Sequence, residues 1–183
     1  MTSVGRAALA VTLLAAVTAL GAPLYRGAVE VQEVPALASI ARAFAAAAAG
    51  TLELLGIAVV REGANLRHPS GFSIQVSGNC TAWFHAVLFL AGLFALKPET
   101  RRGRGFASFA VWSVGGVGVI AAVNLVRLVL IFVVGARVPA LFDWSHHVVG
   151  EALLAGTVLL LWWRASAARE CVAPALALAV RAE

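Results

Sequence analysis

The chain has 183 residues, 61% of them hydrophobic and 13% charged, with a mean hydropathy of +0.91; soluble domains average ~45–50% apolar and ~25% charged. That balance excludes a soluble-type hydrolase and points to an all-α integral membrane protein forming one domain over 1–183. The formal charge is +5, but the basic residues flank apolar segments and form no patch interleaved with exposed aromatics, so no nucleic acid is expected.

The first apolar run extends from Ala7 to Leu24 behind Arg6. At ~18 residues it exceeds a signal-peptide core of 7–15 and reads as an uncleaved span over 6–24, with cleavage after Ala22 the competing reading. Segment 35–60, "ALASIARAFAAAAAGTLELLGIAVV" from Ala36 on, is apolar but contains Arg42 and Glu53. Beyond it, His68-Pro69-Ser70-Gly71 is a turn cluster, and "FSIQV" alternates apolar Phe72, Ile74 and Val76 with polar residues, the period of a strand. With "GIAVV" it predicts a small β-hairpin on the outer face. Further spans are expected at 80–96, 105–127 (or on to 134) and 144–164, each near the ~20 residues a bilayer requires.

Loop charge sets the orientation. "KPETRRGRG" (97–105) carries Lys97, Arg101, Arg102 and Arg104, Arg6 precedes the first span, and Arg164 and Arg169 follow the last. Short loops rich in Lys and Arg stay cytoplasmic. The span at 80–96 therefore runs from outside to inside, and segment 25–79 begins and ends outside. A single crossing by 35–60 would break that parity, so the segment is read as an external amphipathic or re-entrant helix. The expected total is four transmembrane helices with both termini inside; five spans is the alternative.

This topology brings three polar groups to one depth. Cys80 opens a span at its outer end. Arg127 lies 23 residues beyond Arg104, or about 34 Å of helix at ~1.5 Å per residue, enough to cross the ~30 Å apolar core. His146 and His147 open the last span, again outside. Each has a plainer reading. Cys80 could be a small buried hydrophobe, although Ser77 and Asn79 are good caps that would put it in the first helical turn, where the dipole favours thiolate. Arg127, with Asn124 three residues before it, could be a snorkelling arginine, although an ionisable group inside an apolar run by default suggests function. Either histidine could serve the interface, and Glu151, four residues after His147, could bond it along the helix. His85 sits deeper and reads as a packing residue, with a role as base held in reserve. A zinc site from Cys80, His146, His147 and Asp143 or His68 is disfavoured, since adjacent histidines rarely face one ion and no paired-Cys or HExxH spacing is present. No metal and no cofactor are expected.

"SGNC" (77–80), "NLVR" (124–127) and "HHVVG" (146–150) together resemble the exosortase/archaeosortase family of membrane transpeptidases, which carries a Cys, an Arg in an N-x-x-R setting and a His four residues before a Gly. The likeness covers about residues 72–160 and maps onto Cys80, onto Arg127 with Asn124, and onto His146 with Gly150; His147 has no matching glycine. The family often has Ser-Gly after its Cys where this chain has Thr81-Ala82, and many members have about eight spans where this chain is compact. The resemblance implies a cysteine protease or transpeptidase of the cell membrane with its site on the external face. Its substrates would be membrane-anchored proteins ending in a short motif, a transmembrane helix and a basic cluster, and its acceptor a lipid or glycan. Cys80 would attack, Arg127 would stabilise the thiolate or oxyanion, and His146 would move the proton. A non-enzymatic membrane scaffold or assembly subunit is the alternative. A channel or transporter fits less well, because the spans at 80–96 and 150–163 hold few polar exceptions, His85, Glu151 and Thr157 among them.

Overall fold

A computed structural model describes residues 35–95 and 104–180, without the side chains of 79, 104–107 and 168–180. The expected span at 6–24, most of the basic loop 97–105 and the Cys171 side chain lie outside the described residues.

Helix α1 (Pro35–Leu54) is built from alanine, the strongest helix former, behind a proline at its first position. Gly56 stops it in the left-handed region at φ +73°. Gly56 N–H donates to Glu53 and Ile57 N–H to Leu52, each at 2.9 Å, the paired bonds of a Schellman motif. Three short strands follow, β1 (Val60–Glu62), β2 (Asn65–Arg67) and β3 (Ser73–Gln75), forming an antiparallel sheet in the order β1-β2-β3. The sheet has one strand more than the expected hairpin: "NLR" lies between "GIAVV" and "FSIQV". Gly63, at φ +65°, supplies the positive φ that a two-residue hairpin loop requires. The 68–71 cluster turns as expected, with Gly71 N–H donating to the His68 carbonyl at 3.0 Å.

A 3-10 turn (Gly78–Thr81) leads into α2 (Trp83–Ala95). Helix α3 (Arg104–Arg137) is followed by a 3-10 turn (Pro139–Leu141), a single α-turn (Phe142–Trp144), a π turn (Ser145–Val149) and α4 (Gly150–Val180). Helix α3 continues ten residues past Arg127, because no proline interrupts it before Pro139. Among the described residues, three stretches are long and apolar enough to cross a membrane: Pro35–Leu54, Ser108–Arg137 and Pro139–Ala167. Helix α2 is apolar but, at about 20 Å, shorter than the ~30 Å apolar core. An all-α membrane protein with a small three-stranded antiparallel sheet is what the architecture shows.

Two cores hold these elements. In the first, Ala41, Ala45, Ala48, Ala49 and Leu52 form one stripe of α1 and pack on Leu66, Val76 and the α3 residues Leu128, Val129 and Phe132. The alternation of 72–76 is realised here: Ile74 and Val76 turn inward, and the Phe72 ring fills the space over Gly135. In the second, α2, α3 and α4 bundle around Phe89, Leu93, Ile120, Leu154, Val158 and Trp162. Glycine permits close approach there: a Cβ at Gly116 would run into the Phe89 ring and one at Gly92 into Trp162. Trp162 Nε1 also donates to the Phe89 carbonyl at 3.0 Å, so the tryptophan ties α4 to α2 by a buried hydrogen bond as well as by packing.

Candidate active site

The seam between the two cores holds the polar residues that the sequence singled out. Cys80 sits in the 3-10 turn, not in the first turn of a helix as expected; α2 begins only at Trp83. The break is Ala82, whose backbone is left-handed at φ +54° and whose side chain is buried. A left-handed alanine costs roughly 1–2 kcal/mol, so packing around Ala82 and the flanking turn must hold it in place. Thr81 helps: its hydroxyl donates to the Gly78 carbonyl at 2.6 Å. Ser77 makes no capping bond. Its Oγ lies 3.6 Å from Cys80 Sγ instead.

Asn124 is fully buried on α3, and its Nδ2 donates to the Cys80 carbonyl at 2.7 Å. This bond joins the cysteine turn to the helix that carries Arg127. Arg127, one turn further, is only 3% exposed. Its Nη2 donates to the His146 carbonyl at 3.2 Å and to Glu151 Oε1 at 2.8 Å, while Nε and Nη1 are buried without a protein partner. Gly150 makes room for this guanidinium, since a Cβ there would run into Arg127 Nε. The sequence pairs His146 with Gly150 on one helix face; the structure shows the glycine as the seat of the Arg127 side chain.

His146 lies in the π turn and stacks on Phe142, with centroids 5.7 Å apart and planes 9° from parallel. π turns are rare and recur at functional sites. His146 and Cys80 line one cavity of about 280 Å³, together with Ser77, Phe142, the α3 residues Leu128 and Ile131, and strand β3. His147 does not line it, but its Nε2 is 3.4 Å from His146 Nδ1. Arg127 lies behind this cavity rather than on its wall.

Glu151 is the residue that sequence reasoning placed wrongly. It bonds Arg127 and sits 3.5 Å from His85 Nε2, not along its own helix to His147. The ideal α spacing used for the His147–Glu151 pair fails because the extra residue of the π turn rotates the histidines relative to α4. An acidic residue inside an apolar helix was itself the available signal. His85 joins the polar group through Glu151, away from the cavity. Among the described residues, no three of His, Cys, Asp or Glu gather as metal ligands would.

A thiol and an imidazole on one cavity, with a guanidinium buried behind them, place the chain in a class by arrangement: helical membrane proteins with a polar seam between apolar cores. Within that class the sequence is specific. The transmembrane exosortase (EpsH) family matches residues 2–163, nearly the whole chain, and the protein belongs to that family. Neither the curated proteins nor the solved structures gave a match.

Proposed function

We propose that the protein is a membrane-embedded cysteine transpeptidase or protease of the cell membrane, acting at the external face on the carboxyl-terminal sorting signals of exported, membrane-anchored proteins. The observation that carries this reading is the shared cavity: Cys80 and His146, 66 positions apart in sequence, line the same 280 Å³ space. Cys80 thiolate attacks the scissile carbonyl, forming the S–C bond and a tetrahedral oxyanion. The C–N bond breaks as His146 gives its proton to the leaving amine. The resulting thioester is resolved by an amine or hydroxyl of a lipid or glycan acceptor, or by water, whose proton passes back to His146. Arg127, buried behind the cavity wall, supplies positive charge that favours the thiolate and the oxyanion through space rather than as a direct donor.

The test is co-expression with an exported reporter that ends in a short motif, a transmembrane helix and a basic cluster, scored by mobility shift. Cys80→Ser is expected to abolish processing and Cys171→Ser to leave it intact. Equal loss in both variants at normal protein levels would refute a single nucleophile at Cys80.

A further inference from the structure

Strand β3 has an open edge, and the ladder shows which groups it offers. Val76 N–H donates to Ala64 and His68 N–H to Phe72, at 2.9 and 2.8 Å, with Leu66 opposite Ile74 between them. Hydrogen-bonded pairs alternate along an antiparallel ladder. Phe72, Ile74 and Val76 therefore direct their N–H and C=O groups to β2, and Ser73 and Gln75 direct theirs to the other side. Among the described residues no strand pairs there, and both residues are exposed. Ser73, Ile74 and Gln75 also line the cavity that holds Cys80 and His146.

We infer that this edge takes the substrate as an added strand: an extended three-residue stretch bonded through its main chain to Ser73 and Gln75, which carries its carbonyl to Cys80. The inference rests on the cysteine-peptidase reading and gives it a recognition mode. An extended peptide at an open edge gains affinity from main-chain bonds and specificity from alternate side chains. The outer two residues of the stretch pair with Ser73 and Gln75 and point away from the core, as those two do. The central residue lies beside Ile74, and its side chain points down onto Leu128 and Ile131, both buried and apolar. The site therefore selects an apolar central residue and is tolerant of the other two.

The edge can be altered without cutting the ladder. Proline at position 75 removes an N–H that points away from β2, a place where edge strands accept proline; proline at position 74 would remove a bond to β2. The experiment uses the full chain in native membranes and measures the rate of Cys80 alkylation, in which the thiolate displaces a halide. The probes are iodoacetamide, a single-residue chloromethyl ketone, and tetrapeptide chloromethyl ketones varied one position at a time. The best tetrapeptide is expected to label faster than the single-residue reagent. Gln75→Pro or N-methylation of one alternate peptide amide should each remove about three- to tenfold of that gain, the worth of one hydrogen bond. Gln75→Ala, which keeps the N–H, should lose less of the gain than Gln75→Pro; each variant's gain is taken relative to its own iodoacetamide labelling, which reports that the thiol and the fold persist. Cys80 labelling without any gain from peptide length, or with a gain indifferent to Gln75→Pro, overturns the strand. A β3 edge that instead pairs with a second copy would show as a change of oligomeric state in Gln75→Pro at unchanged peptide labelling, which also overturns it. If no reagent prefers Cys80 to Cys171, it is the nucleophile assignment that fails.

Discussion

Replacing Gly150 with alanine tests the arrangement at its tightest point. The added methyl would meet Arg127 Nε, and Arg127 is almost fully buried, so it has little room to retreat. Two responses are open. Helix α4 can back away from α3, at the ~1–3 kcal/mol that overpacking usually costs. Alternatively the guanidinium can swing, weakening its Nη2 bonds to the His146 carbonyl and Glu151; bonds to charged groups contribute ~1.5–3 kcal/mol each. The cheaper response sets the outcome, so the stability loss should be about 1–3 kcal/mol. Activity should suffer more, because either response moves Arg127 relative to His146, and a ~1 Å misplacement can cost ~10²-fold in rate. The control is Gly156→Ala on the same helix, where an added Cβ meets nothing within 4 Å and alanine is the better helix former. Thermal unfolding in detergent and reporter processing in membranes, at matched expression, would read both effects. A Gly150→Ala variant that behaves like Gly156→Ala would refute the placement of Arg127 against α4.

His146→Ala is expected to lose at least a hundredfold in processing, within the ~10²–10⁴-fold range of acid–base catalysis, and His147→Ala less than tenfold, because only His146 lines the Cys80 cavity; the reverse order would transfer the role to His147. Glu151→Ala leaves Arg127 Nη2 with the His146 carbonyl alone and should slow processing about tenfold, while Glu151→Gln, which keeps an acceptor oxygen, should lose less; wild-type rates in both would make the Arg127–Glu151 pair incidental. Topology reporters fused after Ala36 and after Gly63 are expected to read as external. A cytoplasmic reading at the second would make Pro35–Leu54 a span and move the sheet to the other side.

What the sequence could convey followed the physics that acts locally. Hydropathy and loop charge mark the membrane class, and the His68-Pro69-Ser70-Gly71 cluster marks the turn that leads into β3. The Phe72–Ile74–Val76 alternation predicted which side chains turn inward. Three features depended on tertiary contacts and were not legible. Strand β2 is too short and too polar to announce itself: of "NLR" only Leu66 is buried. The left-handed Ala82 contradicts the intrinsic preference of alanine, so nothing in "SGNCTAW" separates the cysteine turn from the helix after it. The π turn at 145–149 has no sequence signature, yet it decides that Glu151 faces Arg127 and His85 and not His147.

The two cores also explain why these polar groups are affordable in an apolar chain. Asn124 and Arg127 are fixed because α3 is shared: its residues pack with the bundle at Ile120 and with α1 and the sheet at Leu128 to Phe132. Cys80 is fixed to the same helix through its own carbonyl. The segment Pro139–Val149, by contrast, contributes no buried residue to either core. His146 is placed there by its stack on Phe142 and by the Arg127 bond to its carbonyl. Arg127 thus does two things at once: it brings charge to the seam, and it holds the backbone of the one site element that lacks a core of its own. Removing it would release His146 from the cavity as well as removing the charge. An Arg127 variant would therefore lose both the charge and the hold on the His146 backbone, whereas Gly150→Ala keeps the guanidinium in the chain and disturbs its position relative to His146.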